Sequence, residues 1–277
     1  MFVIVSIASS AVVFAGCGGD ATPDVTTTQP LVIVADSTTT TATLPVRSAD
    51  AVFEMLQRGT SVDLASIAAS MTPGSSAETF LSHRYAVAVY AEAAAEVRSA
   101  YLASTTTTSG ESTTMPAIAD SVETTTTIGM PCGEPVCATY SDPVFDEDGL
   151  LRSFSIDGVA VENRVIGPGP VAVVESVQAR VVSGYAAPNG VTTIRIAVTA
   201  AEHPMTIFGF ATVHRPLAAG SPAIETRGAW GDLAVEAGAS TEFLVAFDDT
   251  TLDGDLAFTA VTVDGVDVNF ALPLITP

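Results

Sequence analysis

In the second half of the chain, apolar and polar side chains alternate in short runs, the period of half-buried strands. Val173, Val177, Ala179 and Val181 form one such set, followed by Ile194, Ile196 and Val198, then Phe243, Val245 and Phe247, then Leu256, Phe258 and Ala260. Turn signals punctuate them: Asp148-Gly149, Asp157-Gly158, Pro188-Asn189-Gly190, Ala237-Gly238, Asp253-Gly254 and Asp264-Gly265. Runs and turns so spaced predict an antiparallel β-sandwich over 131–277.

The first half has a different period. Ser48 is placed to cap a helix over Ala49 to Arg58, with Gly59 as its stop and Val52, Met55 and Leu56 on one face. After a second short run from Val62 to Ala69, Thr72-Pro73-Gly74 turns the chain. Ser75-Ser76-Ala77-Glu78 has capping-box spacing, so a long Ala-rich helix is expected from Ser76 to about Ala103. Leu81, Tyr85, Ala88 and Glu92 form its interrupted stripe, which suits packing within the protein better than contact with a membrane. Two tracts lack any such period: 18–47 and 104–130 are Thr-rich and read as linkers, leaving 48–103 as the helical segment. Their Thr hydroxyls could carry sugars or stand bare in solvent. The expected fold class is therefore mainly β, with the Ala-rich helical segment preceding the sandwich.

Residues 2–16, FVIVSIASSAVVFAG, are apolar but short of the roughly 20 residues that span a bilayer as a helix. They fit the core of a signal peptide. The run ends in Phe14-Ala15-Gly16-Cys17, which resembles the bacterial lipobox, with Phe14 where that family prefers Leu. The resemblance implies that 1–17 is a signal peptide with its lipidation cysteine, and that acylated Cys17 becomes the mature N-terminus. A flexible tether of about 30 residues would then reach about 30 Å from the lipid surface.

Charge narrows the partners. With 31 acidic against 10 basic residues the formal charge is -21, which repels phosphate backbones, so no nucleic-acid partner is expected. Every basic residue is Arg. Without Lys, a P-loop clamp, a Schiff base and a Ser-x-x-Lys catalytic pair are all excluded.

Candidate chemistry is sparse. Cys132 and Cys137 are expected to pair as a disulfide in an oxidising compartment, with zinc the alternative that lacks a nearby His. His203, Met205 and His214 cluster in AEHPMTIFGFATVH and offer an imidazole and thioether set suited to copper, against the plainer expectation of no metal. Asp142, Asp146, Glu147 and Asp148 read as a solvated hairpin turn more readily than as a calcium loop, because Val144 falls at the first ligand position. Gly167-Pro-Gly-Pro-Val-Ala172 matches a dinucleotide fingerprint only nominally, since its prolines remove backbone donors and a strand follows. His83 lacks an orienting acid at helical spacing, and Trp230 reads as a plug over one end of the sandwich or as an anchor for a partner. No G-x-S-x-G elbow is present, which argues against a hydrolase. No catalytic residue and no cofactor are expected, and the binding residues are not legible.

The stretches VESVQARVV, VTTIRIAVTA and LAVEAGASTEFLVAFDDTTLDGDLAF, followed by VNFALP, resemble the telokin-like, immunoglobulin-like domains of actinobacterial secreted proteins over about 171–274. A strand, a glycine turn at Gly238, an alternating strand ending in Phe247 and an acidic turn carry the likeness. It implies an extracytoplasmic, non-enzymatic binding domain. The sequence thus leads to an expectation of a surface lipoprotein anchored to the membrane by lipid and binding an envelope protein or glycan. Copper handling and hydrolysis are the competing classes.

Overall fold

The computed structural model describes residues 48–106, 138–200, 202–218 and 220–274. Cys17, Cys132 and Cys137 lie outside the described residues, as do the tracts 18–47 and 107–130. Helix α1 spans Ala49–Arg58; the Ser48 hydroxyl accepts from Ala51 N at its start, and Gly59 closes it with φ 65°. Helix α2 spans Ser61–Ser66, capped by Thr60. Helix α3 runs Ser76–Thr106. Ser75 Oγ accepts from Glu78 N at 3.2 Å, satisfying one orphan donor of the first turn, while the Glu78 carboxylate accepts from Gly74 N, one residue before the cap.

Strands β1 (Tyr140–Phe145), β2 (Leu151–Ile156) and β3 (Val159–Ala160) make a small antiparallel sheet. Its buried face shares one core with the helices. Phe53 stacks on Tyr140, and the ring of Phe80 meets Phe154 and Tyr185 edge-on at 5.5 and 5.0 Å between centroids. Aromatic pairs of this kind contribute about 0.5–1.5 kcal/mol beyond the area they bury.

The remaining strands are β4 (Val165–Ile166), β5 (Ala172–Val174), β6 (Val177–Ala186), β7 (Val191–Thr199), β8 (Met205–Ile207) and β9 (Val213–Arg215). They continue with β10 (Ile224–Glu225), β11 (Gly228–Gly231), β12 (Ala234–Val235), β13 (Ser240–Asp248), β14 (Asp255–Thr262) and β15 (Asp267–Pro273). One sheet, on the helix side, has the order β11-β13-β7-β6, with β4 and β5 both on the outer edge of β6. In the second, β14 is flanked by β15 on one side and by β8 and β9 on the other, and these are extended by β12 and β10. The protein is mainly β, and the two larger sheets form an antiparallel sandwich. Alternation supplies its core: Ile194, Ile196, Val198, Phe243, Val245 and Phe247 from one sheet face Leu256, Phe258, Ala260 and Phe270 from the other. Val173 departs from the pattern, being 62% exposed on a short edge strand.

Helix α3 lies on the outer face of the helix-side sheet, where a β-bulge prepares its seat. Between Val181 and Ser183 the register of β6 against β7 slips by one residue, so that Val182 is extra. That slip turns Ser183 and Tyr185 to the same outer face as Gln178 and Arg180. The helix then crosses the strands: His83 meets Ser183 on β6 and Thr193 on β7, Ser82 meets Arg195 on β7, and Val87 packs on Leu244 of β13. The buried stripe of α3 is Ala77, Phe80, Leu81, His83, Arg84, Val87 and Ala88, whereas Tyr85, predicted to lie on it, is 43% exposed. The stripe faces two neighbours at once, the small sheet and the sandwich, so it is wider than one heptad seam. Beyond Ala91 residues 92–99 of the helix are exposed. Among the described residues no helix is long and apolar enough to cross a membrane.

Candidate functional site

The outer face of the helix-side sheet can be read in rows across β6, β7 and β13. Two rows, Ser183–Arg195–Leu244 and Tyr185–Thr193–Ala246, lie under α3. The next two, Arg180–Ala197–Glu242 and Gln178–Thr199–Ser240, are not covered. With Val171 and Thr241 they line an open cleft of about 480 Å³. Ala197 is its floor, the one small side chain in a row flanked by a guanidinium and a carboxylate. Rows of this sort lie about 7 Å apart along the strands and their positions about 4.8 Å apart across them.

The charges in the cleft are unequal. Arg195 Nε and Nη2 hold the Glu242 carboxylate at 2.6 and 2.5 Å, and Arg195 also donates to Ser82 Oγ at 3.3 Å. Tyr90 donates to the Glu242 backbone oxygen at 2.8 Å; burial first, then the Glu242 carboxylate, push its phenol pKa up, so it stays a donor. Thr199 and Ser240 share a hydrogen bond at 2.7 Å. Arg180 is exposed, and among the described residues no carboxylate lies within ion-pair distance of it. The cleft therefore has a positive centre on a chain of formal charge -21. Nothing in the sequence singled out these residues. They are ordinary solvent-facing strand positions, and only the register and the edge of α3 make them a site.

Below α3 lies a buried polar seam. His83 is fully buried, with Nδ1 at 2.9 Å from Ser183 Oγ and Nε2 at 2.7 Å from Thr193 Oγ1. Both hydroxyls can donate or accept, so either tautomer is satisfied. A serine oxygen next to an imidazole resembles a nucleophile and its base, yet Ser183 is only 3% exposed. Burial, and then the positive fields of Arg84 and Arg195, lower the His83 pKa to about 3, far below the value a general base needs at neutral pH. The seam is a structural joint. Arg84, 1% exposed, lies against the last turn of α1, where a Cβ on Gly59 would come within 3.1 Å of its Nη2. A cation there meets the negative end of the helix.

The residues considered for copper do not converge, which corrects that reading. Met205 pairs with Thr262 and His214 with Leu256, six positions apart on β14 and so about 20 Å apart at 3.3 Å per residue. Met205 is in the sandwich core, His214 is fully buried with Nε2 at 2.7 Å from the Asp253 oxygen, and His203 is exposed beside Asp264 at 3.4 Å. Among the described residues no three His, Cys, Asp or Glu side chains are placed to hold a metal ion.

Other signals resolve into structure. Asp146 organises the β1–β2 turn, accepting from Asp148 N and Leu150 N through Oδ1 and from Thr72 through Oδ2. Those hydrogen bonds, from Leu150 first and then Thr72, lower its pKa. The segment at 167–170 leads into β5 and borders a groove at the start of α3, where Glu162 disfavours an anion. Trp230 packs with Val87, Tyr90 and Leu244 between α3 and the sheet, not over an end of the sandwich. No protein family, curated protein or solved structure matches the chain.

Proposed function

We propose that the chain is a non-catalytic lipoprotein, held outside the cell membrane by lipid on Cys17, whose β-sandwich binds another component of the envelope. The observation that carries this reading is the apolar run at 2–16 ending in Phe14-Ala15-Gly16-Cys17 and followed at once by a Gly- and Thr-rich tether. The strand and turn pattern of 171–274 supports placing the sandwich with telokin-like, immunoglobulin-like domains, and Cys132 and Cys137 form a disulfide in that compartment. Binding, rather than catalysis, is favoured by the disposition of the histidines. His83 and His214 are sealed in packing, and His203 sits on the surface beside an acid. The reading calls for no cofactor, and the chain's charge of -21 leaves an envelope protein or glycan, not nucleic acid, as the partner.

The test is radiolabelled palmitate in cells producing the protein. Label is expected in the wild-type band and absent from Cys17→Ala, and alkylation of the extracted protein should reach Cys132 and Cys137 only after reduction. Equal labelling of both chains would remove the anchor, and thiols open before reduction would remove the disulfide.

A further inference from the structure

We infer that the uncovered rows Arg180–Ala197–Glu242 and Gln178–Thr199–Ser240 bind a polysaccharide bearing carboxylates. The inference rests on the envelope reading above and names the ligand class of one site. Arg180 supplies the charge. An arginine fork matches a carboxylate with two parallel hydrogen bonds, and this one has no partner of its own among the described residues. Among the described residues the only carboxylate lining the cleft, Glu242, is already neutralised by Arg195. An anion entering the cleft therefore meets one free cation, while most of the remaining surface repels it.

The polar groups around Arg180 are uncharged apart from the Arg195–Glu242 pair. Gln178 offers an amide that both donates and accepts, and the Thr199 and Ser240 hydroxyls keep capacity beyond the bond they share. These groups lie in two parallel rows, suited to hydroxyls repeated along a chain of sugar rings. A peptide is less well served. At these rows β6 lies between β5 and β7 and β7 between β6 and β13, so strand addition is confined to the short outer edge of β13 at 240–242, where the Glu242 backbone oxygen is already taken by Tyr90. Among the described residues Val171 is the one large apolar side chain lining the cleft.

The experiment uses the full chain in detergent micelles and immobilised polygalacturonate. Matched supports carry the same polymer with its carboxyls reduced to alcohols, or polyglutamate. The wild-type protein is expected to be retained on polygalacturonate, released by added salt, and not retained on the reduced polymer. Arg180→Gln should weaken retention at least tenfold while its thermal unfolding is unchanged, since the side chain is exposed. Arg215→Gln, on the other sheet, should retain like the wild type. No retention of the wild type, equal retention of Arg180→Gln, equal loss in Arg215→Gln, or preference for polyglutamate would each overturn the assignment. Palmitate labelling reports separately, so an anchored protein that ignores the polymer refutes the cleft and leaves the anchor standing.

Discussion

Replacing Gly254 by alanine is expected to destabilise the folded protein by about 2–5 kcal/mol, the left-handed backbone penalty added to an overpacking cost. Gly254 has φ 83°, and a Cβ placed there would stand 2.0 Å from the Arg215 carbonyl oxygen and 2.9 Å from Leu217 N. Neither is a side chain that can swing aside. The Gly254 oxygen also accepts from Leu274 N, so displacing this turn disturbs the end of β15 as well. Gly265 is the control, for its φ is 80° and nothing lies within 4 Å of its would-be Cβ. Gly265→Ala should cost only the backbone term, about 1–2 kcal/mol. Urea unfolding of the three chains checks this, and equal midpoints for the two variants would mean that the β14 turn yields where the packing says it cannot.

The second large effect is expected at His83. His83→Leu leaves the Ser183 and Thr193 hydroxyls buried without their imidazole partner, at a cost of about 1–3 kcal/mol for each. The pH dependence follows from the lowered pKa. In the unfolded chain the imidazole takes up a proton below its ordinary value of 6.5, whereas in the folded protein it does so only near 3. Between those values the unfolded state binds more protons, so acid favours unfolding. Stability is complete above pH 6.5 and falls through that window by about 1.4 kcal/mol per pH unit. Asp146 and Glu92, whose pKa values are lowered by hydrogen bonds, also lose stability in acid, so the wild-type slope alone is not diagnostic. The diagnostic quantity is the gap between the wild type and His83→Gln. Urea titrations from pH 7 to pH 4 should show it narrowing as the pH falls, and a constant gap would contradict a neutral buried imidazole.

What could be read from the sequence was local. The glycines of all six turn signals, Gly149, Gly158, Gly190, Gly238, Gly254 and Gly265, have φ between 71° and 86°. This is the backbone for which glycine is chosen. Ser48, Gly59 and Ser75 do what their spacing announces at the ends of α1 and α3, while Glu78 reaches Gly74 N and the Ser75 N–H goes to the Thr72 oxygen instead. The alternating runs on β7, β13 and β14 place their apolar members in the sandwich core.

What could not be read is tertiary. The bulge at Val182 leaves no periodic mark, because one extra residue in an apolar run looks like a longer run. The contact of His83 with Ser183 joins residues 100 positions apart, and neither carries a local signal of the other. The small sheet of β1–β3 is only a pair of turn signals until the aromatic core shows what it packs against. The cleft is hidden for the same reason. Its residues become neighbours through the β6–β7–β13 register, and they are left open because α3 crosses the next two rows instead.

The most direct test of the account is protease added to intact protoplasts making the full chain. The sandwich is expected to be degraded while a cytosolic marker survives, and the surviving membrane fragment to carry lipid on Cys17. A chain that stays whole until the protoplasts are lysed, with residues 1–16 still attached, would contradict it.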